Sequence, residues 1–274
     1  MGKYSITRIN TFLENPWKHW CKYVAGYKPL KNPEAEKYMD RGTVFHRAME
    51  ILSSSKGAIR FEEMLETVKQ EAREQGFLEE AEKGGLLAVS RYLDEYGKEA
   101  FKDVIHTEYR LDYPLTKGNE FIGFIDAIIP NKDGSVTLVD YKTYSSAPQE
   151  DKMKYAIQAD MYMYVATQLG FKVRGFRFDC VNPKEKITGR MYRFKRIEFR
   201  YNPYKAEEVF TNFCAMAEML EETGDSLRMY SIGEHMPDAY DYLYRVYIGE
   251  VAEDLDEYLE KWFESFNEEE VEEI

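Results

Sequence analysis

The stretch "GFIDAIIPNKDGSVTLVDYKT", residues 123–143, decides the fold at the centre of the chain. Two apolar runs rich in β-branched residues flank a polar turn that ends in Gly134, and this pattern predicts a β-hairpin. Because side chains alternate across a strand, Asp140 and Lys142 share one face of the second strand. The hairpin therefore carries charged side chains that packing alone does not explain.

The register of this hairpin depends on the length of its turn. We predict a three-residue loop at 132–134 with its glycine in the left-handed conformation, which pairs Asn131 with Ser135. In this register Asp126 lies opposite Asp140, with the two Cβ atoms about 5 Å apart. A shift of one residue would instead send Asp126 to the other face of the sheet.

Two facing carboxylates repel one another unless a cation lies between them. Oxygen-rich sites with few protein ligands suit Mg²⁺ or Mn²⁺, so the facing pair Asp126 and Asp140 predicts a divalent metal site. Lys142 beside such an ion would orient a water molecule and stabilise charge on a phosphate. The alternative is a hairpin with solvated Asp and Lys side chains, which exposed strand faces commonly carry.

Three further polar residues are candidates for the same site. His46, in "GTVFH" on a predicted helix, offers an imidazole nitrogen as a metal ligand. Gln158 and Tyr162, in "QADMY", are four residues apart and share one helix face, where they could contact phosphate or hold a lysine in place. Taken singly, each has an ordinary alternative: a surface or core His, a solvated Gln and a core Tyr.

The periodicity of the chain predicts a mixed α/β protein with a central mixed β-sheet flanked by helices. We expect one domain over residues 1–274. Its parts are a helical N-terminal part at 1–103, a sheet core with the charged hairpin at 104–200, and C-terminal helices at 201–274.

Local signals predict where several helices begin and end. One helix begins after Gly42 with Thr43 as its N-cap, and another covers residues 150–169 and stops at Gly170. The acidic C-terminal stretch predicts an amphipathic helix docked on the body, because four apolar residues share one of its faces: Leu255, Leu259, Trp262 and Phe266.

The composition excludes several classes of protein. Hydrophobic residues make up 44% and charged residues 32% of the 274, and no run approaches the roughly 18 apolar residues that span a bilayer. The chain does not open with a secretory signal or a complete myristoylation motif, so we expect a soluble, cytoplasmic protein without a membrane partner. Three widely spaced cysteines form neither a disulfide framework nor a CxxC metal site, and we expect them to be reduced and largely buried.

The charge of the chain is unevenly distributed. A formal net charge of -13 argues against a nucleic-acid partner, because phosphate neutralisation dominates that kind of affinity. Residues 171–205, however, hold eleven Lys or Arg residues and three acidic ones, whereas residues 250–274 hold twelve acidic residues and Lys261. A basic face beside an acidic tail is compatible with a nucleic-acid partner.

Five motifs occur in a fixed order over roughly residues 4–165. They are "SITRINTFLENPWKHWCKYVAGY", "GTVFH", "GFIDAI", "LVDYKT" and "QADMYMY". In combination they resemble the RecB-like branch of the PD-(D/E)XK nuclease superfamily, and the resemblance covers more than half of the chain. It implies a restriction-endonuclease-like core and hydrolysis of DNA phosphodiesters with Mg²⁺ or Mn²⁺.

The resemblance also implies a role for each residue that matches a family motif. The metal ligands and the catalytic lysine of the family match, in chain order, His46, Asp126, Asp140, the backbone carbonyl of Tyr141, and Lys142. The helical Gln-x-x-x-Tyr motif next to the active site matches Gln158 and Tyr162.

Three more residues belong to the predicted site on weaker grounds. Glu108, in "HTEYRL" one strand before the hairpin, is either an additional acid near the metal or an exposed strand carboxylate. Ser5 and Arg8 fall in the N-terminal signature, where the resemblance implies a place near the DNA path.

The chain departs from the resemblance at one position. Many RecB-like nucleases carry a Cys before the Pro of the N-terminal signature and three more near the C-terminus, which together hold a [4Fe–4S] cluster. Here Asn15 precedes Pro16, and three cysteines cannot supply four thiolates, so we predict no iron–sulfur cluster. The docked C-terminal helix would then take the place of the cluster in holding the N-terminal and C-terminal parts of the chain together.

The leading hypothesis is a Mg²⁺- or Mn²⁺-dependent deoxyribonuclease, an exonuclease of phage or bacterial DNA recombination, repair or processing. Its substrate would be linear duplex or single-stranded DNA, and its partner a helicase or a recombinase. A second hypothesis keeps the fold without the chemistry, as a non-catalytic DNA-binding or scaffold subunit of a larger complex. A third is an unrelated mixed protein whose acidic tail binds a basic partner. The complete set of acids, lysine and histidine favours the first hypothesis.

Overall fold

The computed structural model describes residues 2–30, 33–154, 156–187, 193–223, 226, 229–230 and 238–265. The α-helices are α1 (Ile6–Glu14), α2 (Pro16–Tyr23), α3 (Pro33–Ser54), α4 (Phe61–Glu74), α5 (Glu79–Tyr96), α6 (Glu150–Lys154), α7 (Ile157–Gln168), α8 (Pro203–Thr223), α9 (Ala239–Tyr247) and α10 (Leu255–Trp262). The strands are β1 (Lys3–Tyr4), β2 (Tyr27–Pro29), β3 (His106–Pro114), β4 (Glu120–Pro130), β5 (Val136–Thr143), β6 (Val173–Val181), β7 (Phe194–Arg200) and β8 (Phe263–Ser265).

The chain folds into two compact units. Unit 1 comprises Met1–Lys31, Asp112–Gly123 and Phe210–Ile274, and unit 2 comprises Asn32–Leu111 and Phe124–Val209. Strands β3 and β4 each begin in one unit and end in the other. The charged residues of the β4–β5 hairpin all belong to unit 2.

A mixed sheet forms the centre of unit 2. β4 pairs antiparallel with β5, β5 pairs parallel with β6, and β6 pairs antiparallel with β7. β3 pairs with β4 as well. A parallel pair needs a long crossover connection, and here α6 and α7 provide it, with α7 packing on β6. The mixed sheet with its covering helices confirms the predicted fold class.

Helix α3 covers this sheet with an apolar face. It packs on α5 and β5, and its fully buried side chains are Val44, Phe45, Ala48, Met49 and Leu52. Their spacing is that of one helix face, which explains why the segment folds as a helix against the sheet.

The predicted start of this helix is wrong. α3 begins at Pro33, and Thr43 lies inside it, where its Oγ1 donates to the carbonyl of Met39 at 3.3 Å. The segment before Thr43 has Pro at its first helical position and is rich in Glu, Ala and Lys, which are good helix formers. These residues carry the helix through Gly42.

The predicted helix over 150–169 is divided in two. Ala156 has extended backbone angles of φ -66° and ψ 131°, and it separates α6 from α7. Nothing in the local sequence predicts this break. The predicted stop is confirmed, because Gly170 follows α7 with φ +97°, the left-handed conformation that ends many helices.

In unit 1 the N-terminal signature packs against the C-terminal segment. α2 packs on α9, and β2 pairs antiparallel with β8. The indole nitrogen of Trp17 donates to the carbonyl of Tyr240 at 3.1 Å within a buried aromatic cluster. Asn15, which precedes Pro16, caps α2 by accepting a hydrogen bond from the backbone N–H of Lys18 at 3.2 Å.

The predicted C-terminal helix is shorter than expected. α10 ends at Trp262, and Phe263 begins strand β8. The side chain of Trp262 is half exposed, whereas Tyr258 is buried, so the apolar face differs from the predicted one. Phe266 lies outside the described residues.

Two expectations from composition concern the chain as a whole. The three cysteines are free and buried, as predicted. Within the described ranges, no helix has both the length and the apolar character needed to cross a membrane.

Candidate active site

The hairpin formed by β4 and β5 has the predicted register. The pairing of Ala127 with Val139 fixes it, and Asp126 and Asp140 are the next facing positions along the ladder. At the turn, Gly134 has φ +74°, in the left-handed region. Both predictions from the turn length are confirmed.

Side chains in the turn explain why it closes after three residues. The backbone N–H of Asn131 donates to the carbonyl of Ser135 at 2.7 Å. The carboxylate of Asp133 accepts from the backbone N–H and the hydroxyl of Ser135, at 3.1 and 2.5 Å. An Asp that bonds the backbone two residues ahead stabilises a tight turn.

Asp126 is buried on β4 and is held by two donors. Its Oδ2 atom accepts a hydrogen bond from the backbone N–H of Tyr141 at 2.5 Å. The same oxygen lies 3.3 Å from Nδ1 of His46 on α3. The helix and both strands of the hairpin therefore meet at this carboxylate.

His46 occupies the edge of the apolar face of α3. Its neighbours Phe45 and Ala48 are fully buried, while a third of the His46 side chain remains exposed. Burial would lower the pKa of His46, but the Asp126 carboxylate outweighs it and the pKa is raised. His46 is therefore a partner of the Asp126 carboxylate.

Asp140 faces Asp126 from β5 and has different partners. Its Oδ2 atom lies 2.9 Å from Nζ of Lys142, and its Oδ1 atom accepts from the side-chain amide of Gln158 at 2.8 Å. Lys142 and Asp140 share one strand face, as the alternation of side chains predicts. The crossover helix α7 thus contributes Gln158 directly to the acidic pair.

The two carboxyl groups have pKa values displaced in opposite directions. Burial raises the pKa of Asp140 to about 6, despite the nearby Lys142. For Asp126, burial acts in the same direction, but His46 and the Tyr141 N–H reverse it and the pKa is lowered. The pKa of Lys142 is raised, because the two carboxylates outweigh its burial. Lys142 is therefore a cation at neutral pH.

Glu108 on β3 is the third acid of the cluster. Burial, followed by the charge of Asp126, raises its pKa to about 7. Its backbone has φ +46°, a left-handed conformation that is unusual for a residue other than glycine. Strained backbone of this kind persists where the surrounding structure holds it, often at functional sites. The predicted role of Glu108 as an additional acid near the metal stays a prediction.

Tyr162, one turn after Gln158 on α7, is buried. Burial raises its pKa to about 12, and it makes a backbone hydrogen bond with Phe124. Its ring packs against Phe176 of β6 at 6.3 Å. Tyr162 is therefore a packed residue of the crossover, with Lys142 as its charged neighbour.

The sequence analysis missed a second polar cluster, on the strand face that carries Tyr141. Asp179 is almost completely buried and accepts from Arg196 at 2.6 and 2.8 Å and from the hydroxyl of Tyr92 at 2.9 Å. The Tyr92 ring lies edge-on to Tyr141 at 5.7 Å. The detectable signal was an acid inside the apolar run "GFRFDCV", which needs a buried counter-charge.

The donor set of the cluster fits a divalent cation. Within the residues that the structure describes, no three His, Cys, Asp or Glu side chains form a ready-made metal site. His46 contacts Asp126 and Lys142 contacts Asp140. The Oδ2 atom of Asp140 is nevertheless buried and accepts no well-aligned hydrogen bond. Hard divalent cations bind such carboxylate oxygens.

Ser5 and Arg8 lie in unit 1. The hydroxyl of Ser5 caps α1 by accepting from the backbone N–H of Arg8 at 3.1 Å. The guanidinium of Arg8 donates to the carbonyl of Lys3 at 2.7 Å and lies over the ring of Tyr4 at 4.3 Å. Their predicted place near the DNA path stays a prediction.

The basic stretch at 171–205 is partly neutralised within unit 2. Arg177 and Arg196 surround the buried Asp179, and Lys205 pairs with the buried Asp160 of α7 at 2.5 Å. The exposed basic residues are Lys172, Arg174, Lys184, Lys186, Arg193 and Arg200, while Arg190 lies outside the described residues. Of the aromatic residues in this stretch, Phe176 and Phe178 are buried in the core.

The fold and the cluster define a class: a mixed sheet whose central hairpin presents two acids and a lysine, with a histidine from helix α3. The chain belongs to the PD-(D/E)XK nuclease superfamily, whose family model it matches over residues 3–273. The resemblance carried by the five ordered motifs is thereby confirmed, and divalent metals are in general use in this superfamily.

The chain is also similar to several known proteins. The chain is 27% identical over 201 residues to one subunit of the ATP-dependent helicase/deoxyribonuclease of Streptococcus agalactiae, and the match covers 69% of this chain but only 18% of the relative. A protein of Eubacterium rectale assigned as an exonuclease has the same fold, at TM-score 0.50 and 14% identity over 87% of this chain and 86% of that one. An alkaline exonuclease from Laribacter hongkongensis aligns at TM-score 0.41 and 15% identity, over 91% and 95% of the two chains.

Proposed function

We propose that this chain is a metal-dependent deoxyribonuclease that hydrolyses phosphodiester bonds of DNA, with exonuclease action. The observation that carries the proposal is the facing pair Asp126 and Asp140, held between His46 and Lys142 in unit 2. Buried acids with displaced pKa values beside a lysine and an imidazole are more typical of a catalytic site than of a structural one.

The metal would be Mg²⁺ or Mn²⁺, held by Asp126, Asp140, His46 and the backbone carbonyl of Tyr141, with Glu108 as an additional acid. When bound, it supplies a Lewis acid for the phosphoryl oxygens and lowers the pKa of a water molecule. The hydrogen bond from the Tyr141 N–H and the contact with His46 fix the orientation of the Asp126 carboxylate. Hydrogen bonds of this kind orient a metal-ligating side chain toward the ion.

Lys142 acts in this proposal as a cation. Its pKa is raised by the carboxylates, so its ammonium group keeps a positive charge beside Asp140. In the hydrolysis, the water oxygen bonds to phosphorus, the bond from phosphorus to the leaving sugar oxygen breaks, and a proton passes to that oxygen. Lys142 stabilises the negative charge that grows on the phosphate during this step.

Gln158 and Tyr162 are positioning residues. The Gln158 amide donates to Oδ1 of Asp140 and leaves the Oδ2 atom facing Lys142. Tyr162 anchors α7 in the core through Phe124 and Phe176. Together they hold the second acid in one orientation.

The proposed substrate and partner proteins are inferred from the proteins that this chain is similar to. The exonuclease fold neighbour supports linear DNA, duplex or single-stranded, as the substrate. The S. agalactiae relative, of which this chain spans 18%, supports a helicase as partner, with a recombinase as the other candidate. Work in DNA recombination, repair or processing would place the protein in the cytoplasm of a bacterial or phage-infected cell. Ser5 and Arg8 would then contribute to the DNA path.

A nuclease assay with matched variants tests the proposal. Linear duplex, linear single-stranded and closed circular DNA are incubated with Mg²⁺, with Mn²⁺ or with chelator. We expect degradation of linear DNA only with metal, and loss of at least roughly 100-fold in Asp126→Asn and in Lys142→Ala. Lys132→Ala, an exposed lysine of the same hairpin, should keep full activity.

Two outcomes contradict the proposal. Equal degradation by wild type and both site variants would assign the activity to a contaminant. Absent cleavage by folded wild type would favour a non-catalytic DNA-binding or scaffold subunit of the same fold, and undiminished cleavage in chelator would contradict the metal dependence. Circular dichroism of every variant confirms that lost activity does not reflect unfolding.

A further inference from the structure

A cavity of about 360 Å³ lies beside Lys142 in unit 2. Eleven residues line it, drawn from the end of β5, the loop after it, the crossover helices and β6. Lys142 and Gln158 belong both to this cavity and to the acidic cluster. Whatever occupies the cavity is therefore adjacent to the bond that the proposed nuclease cuts.

The walls of the cavity are suited to a flat, apolar group. Tyr144 follows β5 and is half-buried, whereas Phe178 of β6 and Met153 of α6 are buried. Aromatic side chains stack on nucleobases, and this contact is tolerant of sequence because every base has a π-face. A thioether beside aromatic rings packs well against irregular flat ligands.

The charge of the lining is suited to a polyanion. Lys142 and Lys152 line the cavity, and none of its eleven described lining residues is acidic. Two other cavities of unit 2 have mixed charge, since each includes Glu185 and at least one further glutamate beside basic residues. In a chain with a net charge of -13, two lysines and no acid in the lining favour an anionic ligand in this cavity.

The size of the cavity limits its occupant. Pockets for small molecules range over roughly 300–1,000 Å³, and this cavity is near the lower end of that range. It has room for one nucleoside. Enzymes that read a single base in such a pocket must take it from single-stranded DNA or extrude it from the duplex.

We propose that this cavity binds one unpaired nucleobase of the nucleotide next to the scissile phosphate, with Tyr144 as the stacking surface. The inference rests on the proposed nuclease function and adds a substrate preference to it. Single-stranded or frayed DNA supplies an unpaired base without cost, so it is cut faster than a fully paired end.

An abasic scan tests this proposal without knowledge of strand polarity. Single-stranded oligonucleotides of one sequence carry a single abasic residue at successive positions, and the rate is measured at each bond. In wild type, the bond next to the abasic residue should be cut roughly 10-fold more slowly, as expected for the loss of one stacked base. In Tyr144→Ala this penalty should vanish, while all bonds are cut roughly 10-fold more slowly than in wild type.

Two matched variants define the contact. Tyr144→Phe keeps the ring and should keep the abasic penalty. Tyr204→Ala removes a tyrosine of α8 that is 84% exposed and does not line the cavity, and it should leave rate and penalty unchanged. An equal abasic penalty in wild type and Tyr144→Ala would overturn the proposal.

A binding measurement separates this proposal from the nuclease function. Deoxyadenosine 5′-monophosphate and 2-deoxyribose 5-phosphate are titrated against the full chain by calorimetry. In wild type, we expect the nucleotide to bind at least roughly 10-fold more tightly than the sugar phosphate. In Tyr144→Ala, we expect the two compounds to bind with equal affinity. If wild type does not cut DNA but this difference in affinity is found, the proposed nuclease function is wrong and the proposed base-binding cavity is supported. If cleavage occurs but wild type binds both compounds equally, the cavity proposal fails alone.

Discussion

The carboxylate of Asp126 accepts a hydrogen bond from the backbone N–H of Tyr141, fifteen residues further along the chain, at 2.5 Å. Tyr141 is the residue between the acid and the lysine of β5, so this bond ties one strand's acid to the centre of the other strand's motif. His46 approaches the same oxygen from α3. The register of the hairpin therefore determines which groups contact the Asp126 carboxylate.

Replacing Gly134 tests how firmly the turn holds that register. Gly134 has φ +74°, and Gly134→Ala would add a Cβ in a left-handed conformation that costs an L-residue roughly 1–2 kcal/mol. We expect the free energy of unfolding in urea to fall by about 1 kcal/mol. Gly42→Ala is the matched control. Gly42 lies inside α3, and an added Cβ would meet only the Thr143 side chain, at an ordinary 3.7 Å. This variant should raise the free energy of unfolding by up to about 1 kcal/mol. Equal effects would contradict the role of the turn.

Changing Gln158 tests its role in orienting Asp140. Gln158→Ala removes the 2.8 Å hydrogen bond to the carboxylate, and such bonds to charged groups contribute about 1.5–3 kcal/mol. We expect kcat/KM for DNA cleavage to fall roughly 10- to 100-fold. Gln158→Glu should lose more, because it adds a further carboxylate beside the acidic cluster. Gln168→Glu, at the exposed end of the same helix, should keep wild-type activity, and a fully active Gln158→Glu enzyme would refute the assignment.

The sequence predicts the hairpin and its acids because their order is set by local rules. Strand alternation, a three-residue turn and a glycine at the turn's last position are enough to place Asp126 opposite Asp140. The partners of these acids, His46 and Gln158, come from elements that are distant in the sequence. The motif resemblance indicated that both lie near the site, but it did not give their contacts. Helix packing then decides that His46 reaches Asp126 and that Gln158 reaches Asp140.

Other features could not be predicted because they depend on tertiary structure. The strained backbone of Glu108 and the cavity beside Lys142 arise from how several elements pack. The early start of α3 at Pro33 reflects helix propensity that continues through Gly42. Basic residues such as Arg196 counted as surface charge in the sequence, yet Arg196 pairs with a buried acid.

Removing Asp179 tests the buried polar cluster on the Tyr141 face. Asp179→Ala would leave Arg196 and the mostly buried Arg177 without their counter-charge, which typically costs about 3–5 kcal/mol. We expect this loss in the free energy of unfolding measured in urea. Asp103→Ala, at an exposed acid of unit 2, should change it by less than about 0.5 kcal/mol.

A rescue variant sharpens the test of Asp179. Replacing the acid and both arginines together, as Asp179→Leu, Arg177→Met and Arg196→Met, removes all the buried charges at once. Apolar replacement of a whole buried ion cluster is often neutral or stabilising, so most of the lost stability should return. A triple variant as unstable as Asp179→Ala would show that packing, and not charge, is what Asp179 supplies.

His19 of α2 gives unit 1 a sensitivity to acid. It is 2% exposed, and burial followed by the charge of Arg8 lowers its pKa to about 3, against about 6.5 in an unfolded chain. Between these values the unfolded state binds the extra proton, so the stabilising contribution is complete above about pH 6.5 and is lost as the pH falls toward about 3. The loss approaches about 1.4 kcal/mol per pH unit within that window. His19→Phe keeps a ring beside Phe12 but cannot titrate. Urea unfolding between about pH 4.5 and 7.5 should therefore show a shallower pH dependence in His19→Phe than in wild type, and equal slopes would assign the acid sensitivity to other groups.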